Sequence, residues 1–173
     1  MMKKLKSLCC VALLALTACS TTESPLAPER VSLFEMQEAG SKFYRIPALV
    51  KASDGALVAI ADKRGDALGD LPNIITIVSK RSTDGGKTWS EPWKAFTQWE
   101  GRPISECAKL TCLPDGRLLL LGYAFYRDNH NLPLGNAQTG GLLEDFVFWA
   151  ESSDDGKTWS QMHPIPNTWN GHT

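Results

Sequence analysis

Short apolar runs recur along the chain, and most of them are bounded by glycine, proline, aspartate or serine. Residues 46–50 and 56–61 flank Asp54-Gly55, and a second pair of runs flanks Asp115-Gly116. Apolar runs of this length around Asp-Gly are typical of β-hairpins closed by two-residue turns. A further run at residues 31–36 predicts one isolated strand. The pattern therefore predicts an all-β chain.

An eight-residue pattern, Ser-x-Asp-x-Gly-x-Thr-Trp, forms a first octad at residues 82–89 and a second octad at 152–159. Each octad follows an apolar run, so its aspartate and glycine predict a tight turn and its tryptophan an apolar anchor. The repeat predicts two units of four antiparallel strands, at 44–97 and 104–165, which is typical of β-propeller blades. Two blades do not close a ring. We therefore expect part of a longer propeller, with apolar sheet faces exposed.

The N-terminal 18 residues predict a lipoprotein signal peptide. Three lysines precede a short apolar stretch that ends in Leu16-Thr17-Ala18-Cys19, which resembles a bacterial lipobox. Cys19 is then the lipidated first residue, residues 19–30 form a tether, and Ser20 favours the outer membrane. An ordinary secretory signal cut nearby is the alternative. The prediction is an outer-membrane or cell-surface lipoprotein, with a periplasmic orientation left open.

The composition of the chain argues against a nucleic-acid partner, a disulfide, a metal site and a cofactor. Without residues 1–18 the chain has 15 basic and 19 acidic residues, which argues against a nucleic-acid partner. Cys107 and Cys112 are five positions apart, and this odd offset places them on opposite faces of one strand, which predicts core thiols rather than a disulfide. The three histidines are scattered, and no glycine loop for phosphate precedes a helix. We expect no metal site and no cofactor.

Two arginines are the first candidates for chemistry. A two-residue turn at Asp54-Gly55 would pair Arg45 with Arg64, and two facing cations need an anion between them. The first strand of a propeller blade lines the central channel, so Arg45 would point into its mouth, where arginine suits a carboxylate ligand. The alternative is that both arginines pair with local acids such as Asp62 or Asp66.

Three carboxylates belong to the same predicted end of the blades. Asp66 and Asp70 lie in the loop after Arg64, and one of them suits a general acid if it is held in a partly dry cleft. Glu106 lies nine residues before Asp115, so it should reach the same mouth. The alternatives are a turn-forming role for the aspartates and a solvated loop position for Glu106.

Three motifs together resemble the bacterial sialidase (neuraminidase) family. Phe43-Tyr44-Arg45-Ile46-Pro47 resembles the family's Phe/Tyr-Arg-Ile-Pro motif, and Ala61-Asp62-Lys63-Arg64 resembles its Ala-Asp-x-Arg segment. The two octads resemble its Asp boxes, which are structural turns in other propellers too, so they are assigned no catalysis. The resemblance implies a six-bladed β-propeller of which about two blades are present, and an exo-α-sialidase activity on sialylated glycoproteins, glycolipids and oligosaccharides.

The resemblance also implies roles for individual residues. Arg45 would be the first member of an arginine triad that binds the sialic acid carboxylate, and Arg64 would contact the sugar near its 4-hydroxyl. Asp70 would be the acid/base. Glu106 stands where sialidases often carry an aspartate that contacts the 4-hydroxyl and N-acetyl region. Hydrolysis would proceed with retention through a tyrosine nucleophile, which lies in later blades of the family, so we expect this chain to be inactive alone.

The second half of the chain departs from the commonest secreted sialidases. Residues 105–110 and the long connection at 127–143 resemble a divergent branch of Asp-box proteins. A non-catalytic Asp-box propeller that binds glycan or protein at the cell surface is therefore the main alternative. A surface scaffold protein is a further one.

Overall fold

The computed structural model describes residues 30–65, 67–96, 99 and 101–166. Two four-stranded antiparallel sheets, ordered β1-β2-β3-β4 and β5-β6-β7-β8, make up the fold. A single turn of 3-10 helix, Glu38–Gly40, precedes them. The strands are β1 (Phe43–Lys51), β2 (Leu57–Arg64), β3 (Ile75–Ser82), β4 (Trp93–Lys94), β5 (Ile104–Cys112), β6 (Leu118–Tyr126), β7 (Asp145–Ser152) and β8 (His163–Ile165). The predicted all-β fold class is confirmed.

The core lies between the two sheets. Strand alternation places one set of apolar side chains of each sheet on the facing surfaces. The edge of the Phe96 ring meets the Phe148 ring with 5.7 Å between the ring centroids. Gly122 sits where β6 passes this core, and a Cβ there would lie 2.3 Å from the Cys107 carbonyl oxygen, so only glycine fits. The largest fully buried apolar side chains among the described residues are Val58, Ile60, Ile77, Leu118, Leu120 and Phe148.

The hairpin between β1 and β2 differs from the predicted two-residue turn. The Ala52 N–H donates to the Ala56 carbonyl at 2.8 Å, which leaves a three-residue loop at 53–55. Gly55 takes a left-handed conformation with φ of 87°, the geometry that closes such loops. The strands are therefore shifted by one residue relative to the prediction.

A bulge in β1 shifts the register again. It lies between Arg45 and Ala48, where Ile46 has a φ of 53°. Arg45 consequently pairs with Asp62, while Arg64 pairs with Phe43. The predicted pairing of Arg45 with Arg64 is wrong, because loop length and bulge each move the strand by one position.

The predicted strand at 31–36 is also wrong. This segment is bends and turns that fold back onto the first sheet. The Phe34 ring packs on Tyr44 with centroids 5.3 Å apart, and the Tyr44 hydroxyl donates to the Glu38 carbonyl at 2.6 Å. The Gln37 N–H donates to the Ser41 carbonyl at 2.7 Å, so the chain between this segment and β1 is held by turn hydrogen bonds.

Both octads fold into the same hydrogen-bonded turn. In the second, Asp154 accepts from the Thr158 N–H at 2.9 Å and from the Thr158 hydroxyl at 2.6 Å. Ser152 accepts from the Gly156 N–H at 2.8 Å. The Trp159 side chain packs against the core, as expected of an apolar anchor. The first octad repeats these contacts with Asp84, Thr88, Ser82 and Gly86.

The second octad also joins the two sheets. The Asp155 carboxylate accepts from the Ser53 hydroxyl at 2.6 Å, next to the β1–β2 loop. Gly156, with φ of 79°, lies so close to β2 that a Cβ would stand 2.9 Å from the Val58 side chain. The octads lie at the strand ends opposite Arg64 and Ile75, about 25 Å away at the usual rise of an eight-residue strand.

The remaining predictions have mixed outcomes. Cys107 and Cys112 lie on β5 without a disulfide, but Cys112 is exposed, so its assignment as a core thiol is wrong. It occupies the last position of β5, next to the hairpin loop. Cys19, the signal peptide, Asp66 and all but the last residue of the tether lie outside the described residues. In the part of the chain described here, no helix is long and apolar enough to cross a membrane.

Candidate functional site

Two arginines and one aspartate meet at the end of the first sheet. Arg45 extends from β1, Arg64 is the last residue of β2, and Asp70 lies in the loop that leads to β3. The Asp70 Oδ1 atom lies 2.7 Å from Arg64 Nη1 and 3.6 Å from Arg45 Nη1. Although the strands do not pair these arginines, the three side chains that the sequence singled out lie together. Their chemical roles stay predictions.

The two arginines differ in burial. The Arg64 side chain is 3% exposed, whereas that of Arg45 is 40% exposed and that of Asp70 is 70% exposed. Arg45 therefore presents donors to solvent beside an accessible carboxylate. Arginine donors in a planar fork suit a carboxylate or phosphate ligand. The geometry is that of an anion site with a carboxylic acid group at its side.

Arg64 is fixed from several directions. Its Nη2 donates to the buried Asp62 carboxylate at 3.1 Å, and its Nη1 donates to the Gly69 carbonyl at 2.6 Å. Burial raises the pKa of Asp62, and the Arg64 charge opposes that rise. The buried Arg64 Nε atom has no hydrogen-bond partner among the described residues. One of the alternatives from the sequence, the pairing of an arginine with Asp62, thus holds for Arg64.

The loop that carries Asp70 is braced internally by Asn73. The Asn73 side chain donates to the Ala67 carbonyl at 2.6 Å and to the Gly69 carbonyl at 3.2 Å. Its backbone N–H donates to the Asp70 carbonyl at 3.2 Å. These bonds give the loop a defined shape without regular secondary structure, and they fix the backbone from which Asp70 projects.

Glu106 lies at the same end of the molecule but between the sheets. Its carboxylate is buried and accepts from the Ile77 N–H at 3.0 Å. The Ile77 carbonyl accepts from the Ala95 N–H at 3.0 Å, just after β4, and the Glu106 carboxylate satisfies the Ile77 N–H in place of a strand carbonyl. Burial raises the pKa of Glu106 to about 7, and the bond from Ile77 opposes the rise. Its predicted contact with a sugar stays a prediction.

A mostly apolar cavity of about 180 Å³ adjoins Asp70 and Arg64. Sequence reasoning missed several of its lining residues, because they come from the second sheet and only long-range packing brings them to Asp70. The half-buried Cys107 thiol interacts with Asp62 and Tyr123, and burial raises the pKa of this thiol. The alternation of side-chain direction along β5 and β6 was the sequence signal from which the strand residues of this lining could have been predicted. The second-sheet side chains in the lining include Glu106, Cys107, Tyr123, Phe125 and Leu134.

In the described part of the chain, no group of three or more histidine, cysteine or acidic side chains is arranged to hold a metal ion. The side chains of the site offer two kinds of chemistry. The guanidinium of Arg45 can bind an anion, and the exposed carboxyl of Asp70 can exchange a proton with a bound molecule.

Comparison with known sequences finds sialidases. The sialidase of Micromonospora viridifaciens is 39% identical over 148 residues, which cover 79% of this chain and 22% of that protein. The sialidase of Bacteroides fragilis strain YCH46 is 30% identical over 138 residues, which cover 69% of this chain and 24% of that protein. The chain thus spans about a quarter of the length of these curated relatives. No protein-family model matches it.

Solved structures give the same result for the fold. The Hadza microbial sialidase Hz136 matches with a TM-score of 0.61 at 27% identity, over 73% of this chain and 27% of that one. The intramolecular trans-sialidase from Ruminococcus gnavus, in complex with oseltamivir carboxylate, matches with a TM-score of 0.62 at 14% identity, over 82% of this chain and 52% of that one. The two sheets are accordingly two blades of a sialidase-type β-propeller.

Proposed function

Because the chain is sialidase-like, we propose that it contributes the acid and part of the carboxylate clamp to an exo-α-sialidase that removes terminal sialic acid from glycoconjugates. The convergence of Arg45, Arg64 and Asp70 at one end of the blades carries the proposal. The fold alone does not decide function. The combination of two guanidinium groups with one accessible carboxyl suits an anionic sugar.

Ligand binding would rearrange the contacts of Asp70. In the structure, both arginines face the Asp70 carboxylate. A sialic acid carboxylate would take over donors of Arg45 and compete with Asp70 for them. Asp70, released from the guanidinium groups, would take up a proton from solvent and donate it to the glycosidic oxygen of the leaving group. In the second step the resulting carboxylate accepts a proton from the attacking water, which restores the protonated acid.

The reaction would retain configuration at the anomeric carbon. Sialidases use a tyrosine nucleophile in place of a second carboxylate, which avoids part of the repulsion between two anions. The family resemblance assigns no tyrosine nucleophile in this chain. We therefore expect the 173-residue chain to bind sialic acid without hydrolysing sialosides, and hydrolysis to be a property of the complete protein.

Two further elements complete the proposal. Glu106 would contribute to recognition near the 4-hydroxyl through the cavity that it lines with Asp70. Lipidation of Cys19 would anchor the protein at the outer membrane or cell surface, where sialylated glycans are accessible.

The test is replacement of Asp70 by Asn in the complete protein, with Asp115→Asn as the control. Asp115 is an exposed aspartate that pairs with Arg117 in the loop between β5 and β6, at the end of the strands that carries the octads. With a fluorogenic α-sialoside we expect Asp70→Asn to lower kcat by at least about a hundredfold while sialic acid binding persists, and Asp115→Asn to leave both unchanged. Unchanged turnover would refute the acid assignment. Binding without turnover in the unaltered complete protein would favour the non-catalytic glycan-binding alternative.

A further inference from the structure

Arg127 is a fully buried arginine that the proposed reaction does not use. It follows β6 directly, and its side chain has no exposed surface. Its guanidinium donates to three backbone carbonyls, those of His130 at 2.7 Å, Pro72 at 3.0 Å and Leu132 at 3.1 Å. The carbonyls of His130 and Leu132 belong to its own connection. The carbonyl of Pro72 belongs to the loop of Asp70, on the other sheet.

The charge of Arg127 is not balanced by a carboxylate among the described residues. Its Nε atom is buried there without a hydrogen-bond partner, and burial lowers the pKa of its guanidinium. Burial of a cation carries a desolvation cost, which apolar packing at the same place would avoid. The planar guanidinium group, unlike an apolar side chain, donates hydrogen bonds to carbonyls of two separate segments and so holds them at fixed distances.

A second residue of the second sheet holds the same stretch of the loop. The Ser105 hydroxyl donates to the Asn73 carbonyl at 2.9 Å and accepts from the Ile75 N–H at 3.1 Å. Arg127 and Ser105 thus bind adjacent carbonyls, those of Pro72 and Asn73. On the other side of the loop, Arg64 binds the Gly69 carbonyl. The backbone of Asp70 is held between these contacts from the two sheets.

We propose that Arg127 is a positioning residue for Asp70, through which the second blade fixes the acid carried by the first. The Pro72 carbonyl is two residues from Asp70, so a shift of this anchor moves the Asp70 carboxyl relative to Arg45 and Arg64. The inference rests on the proposed function for its effect on turnover. Its effect on the order of the loop is independent of that function.

The structural test is hydrogen exchange on the 173-residue chain. In Arg127→Met we expect the amide of Asn73, which bonds the Asp70 carbonyl, to exchange at least about tenfold faster because its loop opens more often. The octad amides of Gly86 and Gly156 should keep their rates. Arg117→Met is the matched control, since Arg117 is exposed and pairs with Asp115 and Glu151 away from this loop. Equal exchange of Asn73 in wild type and Arg127→Met would overturn the proposal.

The functional test uses the complete protein. We expect Arg127→Met to lower kcat roughly tenfold to hundredfold with little change in KM, the signature of a displaced acid rather than of lost binding. Arg127→Lys keeps the charge and reaches fewer carbonyls, so its kcat should lie between those of the wild type and Arg127→Met. It carries both tests if the Met variant does not fold. An unchanged kcat in an active enzyme would overturn the inference while leaving the sialidase function intact. If the wild type hydrolyses nothing, the proposed function fails, and the exchange result alone decides whether Arg127 orders the loop.

Discussion

At the scale of single residues, burial separates groups that the sequence presents as equivalent. Arg45 and Arg64 both come from family-like motifs, yet one is open to solvent and the other is enclosed by Asp62 and backbone carbonyls. Asp70 and Glu106 differ in the same way, since the first is exposed and the second is buried at the Ile77 amide. Position along a strand predicted which end of the sheet these groups occupy. It did not predict how deeply each is buried.

Glu106 should make stability depend on pH. Its folded pKa of about 7 lies above the ordinary value of 4.5, so the folded state holds this proton over a range where the unfolded state has lost it. Stability from this group is therefore fully present below about pH 4.5 and is lost as pH rises through about 7. Glu106→Gln cannot ionise and keeps an acceptor for the Ile77 N–H.

The measurement is the free energy of unfolding by urea at pH 5 and pH 7.5. We expect wild type to lose about 2 kcal/mol relative to Glu106→Gln across this interval. The aspartates with lowered pKa values, such as Asp128 and Asp155, titrate below it and do not contribute. Parallel pH profiles of the two proteins would show that folding does not raise the pKa of Glu106.

At the scale of elements, the octads are turns whose side chains replace missing backbone bonds. Partial burial of Asp154 raises its pKa, but hydrogen bonds from Thr158 and Ser152 outweigh this and lower it to about 2. The carboxylate is therefore ionised and bonded at neutral pH. The turn fixes the direction of the chain after β7 and the position of Trp159, which follows the turn.

Replacing Asp154 by Ala should destabilise the fold by about 2 kcal/mol, because the Thr158 N–H and hydroxyl and the Ser152 hydroxyl lose their common partner. Lys157→Ala, at an exposed position of the same turn, should change stability by less than about 0.5 kcal/mol. Chemical denaturation at pH 7 measures both. Equal effects of the two variants would mean that the turn tolerates loss of its aspartate.

The element scale also shows where sequence reasoning succeeds and where it ends. The octads and the positions of the Asp-Gly hairpins were predictable because their signals are local turn chemistry. The predicted two-residue turns were wrong in both hairpins, since each loop has three residues. The pairing of Arg45 was not, since the left-handed Ile46 before Pro47 and the third loop residue leave no mark in the apolar pattern. The roles of Ser105 and Arg127 were missed for a different reason. Their partners lie in another sheet, about 30 to 55 positions away along the chain.

At the scale of the whole molecule, the outer face of the second sheet is apolar and open, as expected for unclosed blades. Tyr123 pairs with Val147 and Val147 with Ile165 across adjacent strands, and all three side chains are exposed. Leu121 extends the same face. A contiguous apolar sheet face favours association with another surface.

We expect the 173-residue chain to self-associate as its concentration rises, and Val147→Lys to reduce this because it places a charge at the centre of the exposed face. Met36→Lys is the control, since Met36 is exposed in the N-terminal turn away from this face. Sedimentation velocity over a range of concentrations distinguishes the variants. If both lysines had the same effect, net charge rather than this face would govern association.

Gly156, the glycine of the second octad, lies at a close contact between the two blades. Gly156 leaves no room for a methyl group against Val58, while the contact from Arg127 to Pro72 closes the blades at the far end of the strands. Any side chain at position 156 would push the two sheets apart at this contact. Because a packed sheet is rigid, the resulting tilt of one sheet against the other would extend to the far end of the strands. A change in a turn remote from the sugar would then spread the groups around Asp70, and displacements of about 1 Å at such groups cost up to about a hundredfold in rate. The positions of the groups around Asp70 at one end of the strands would thus depend on the size of residue 156 at the other end.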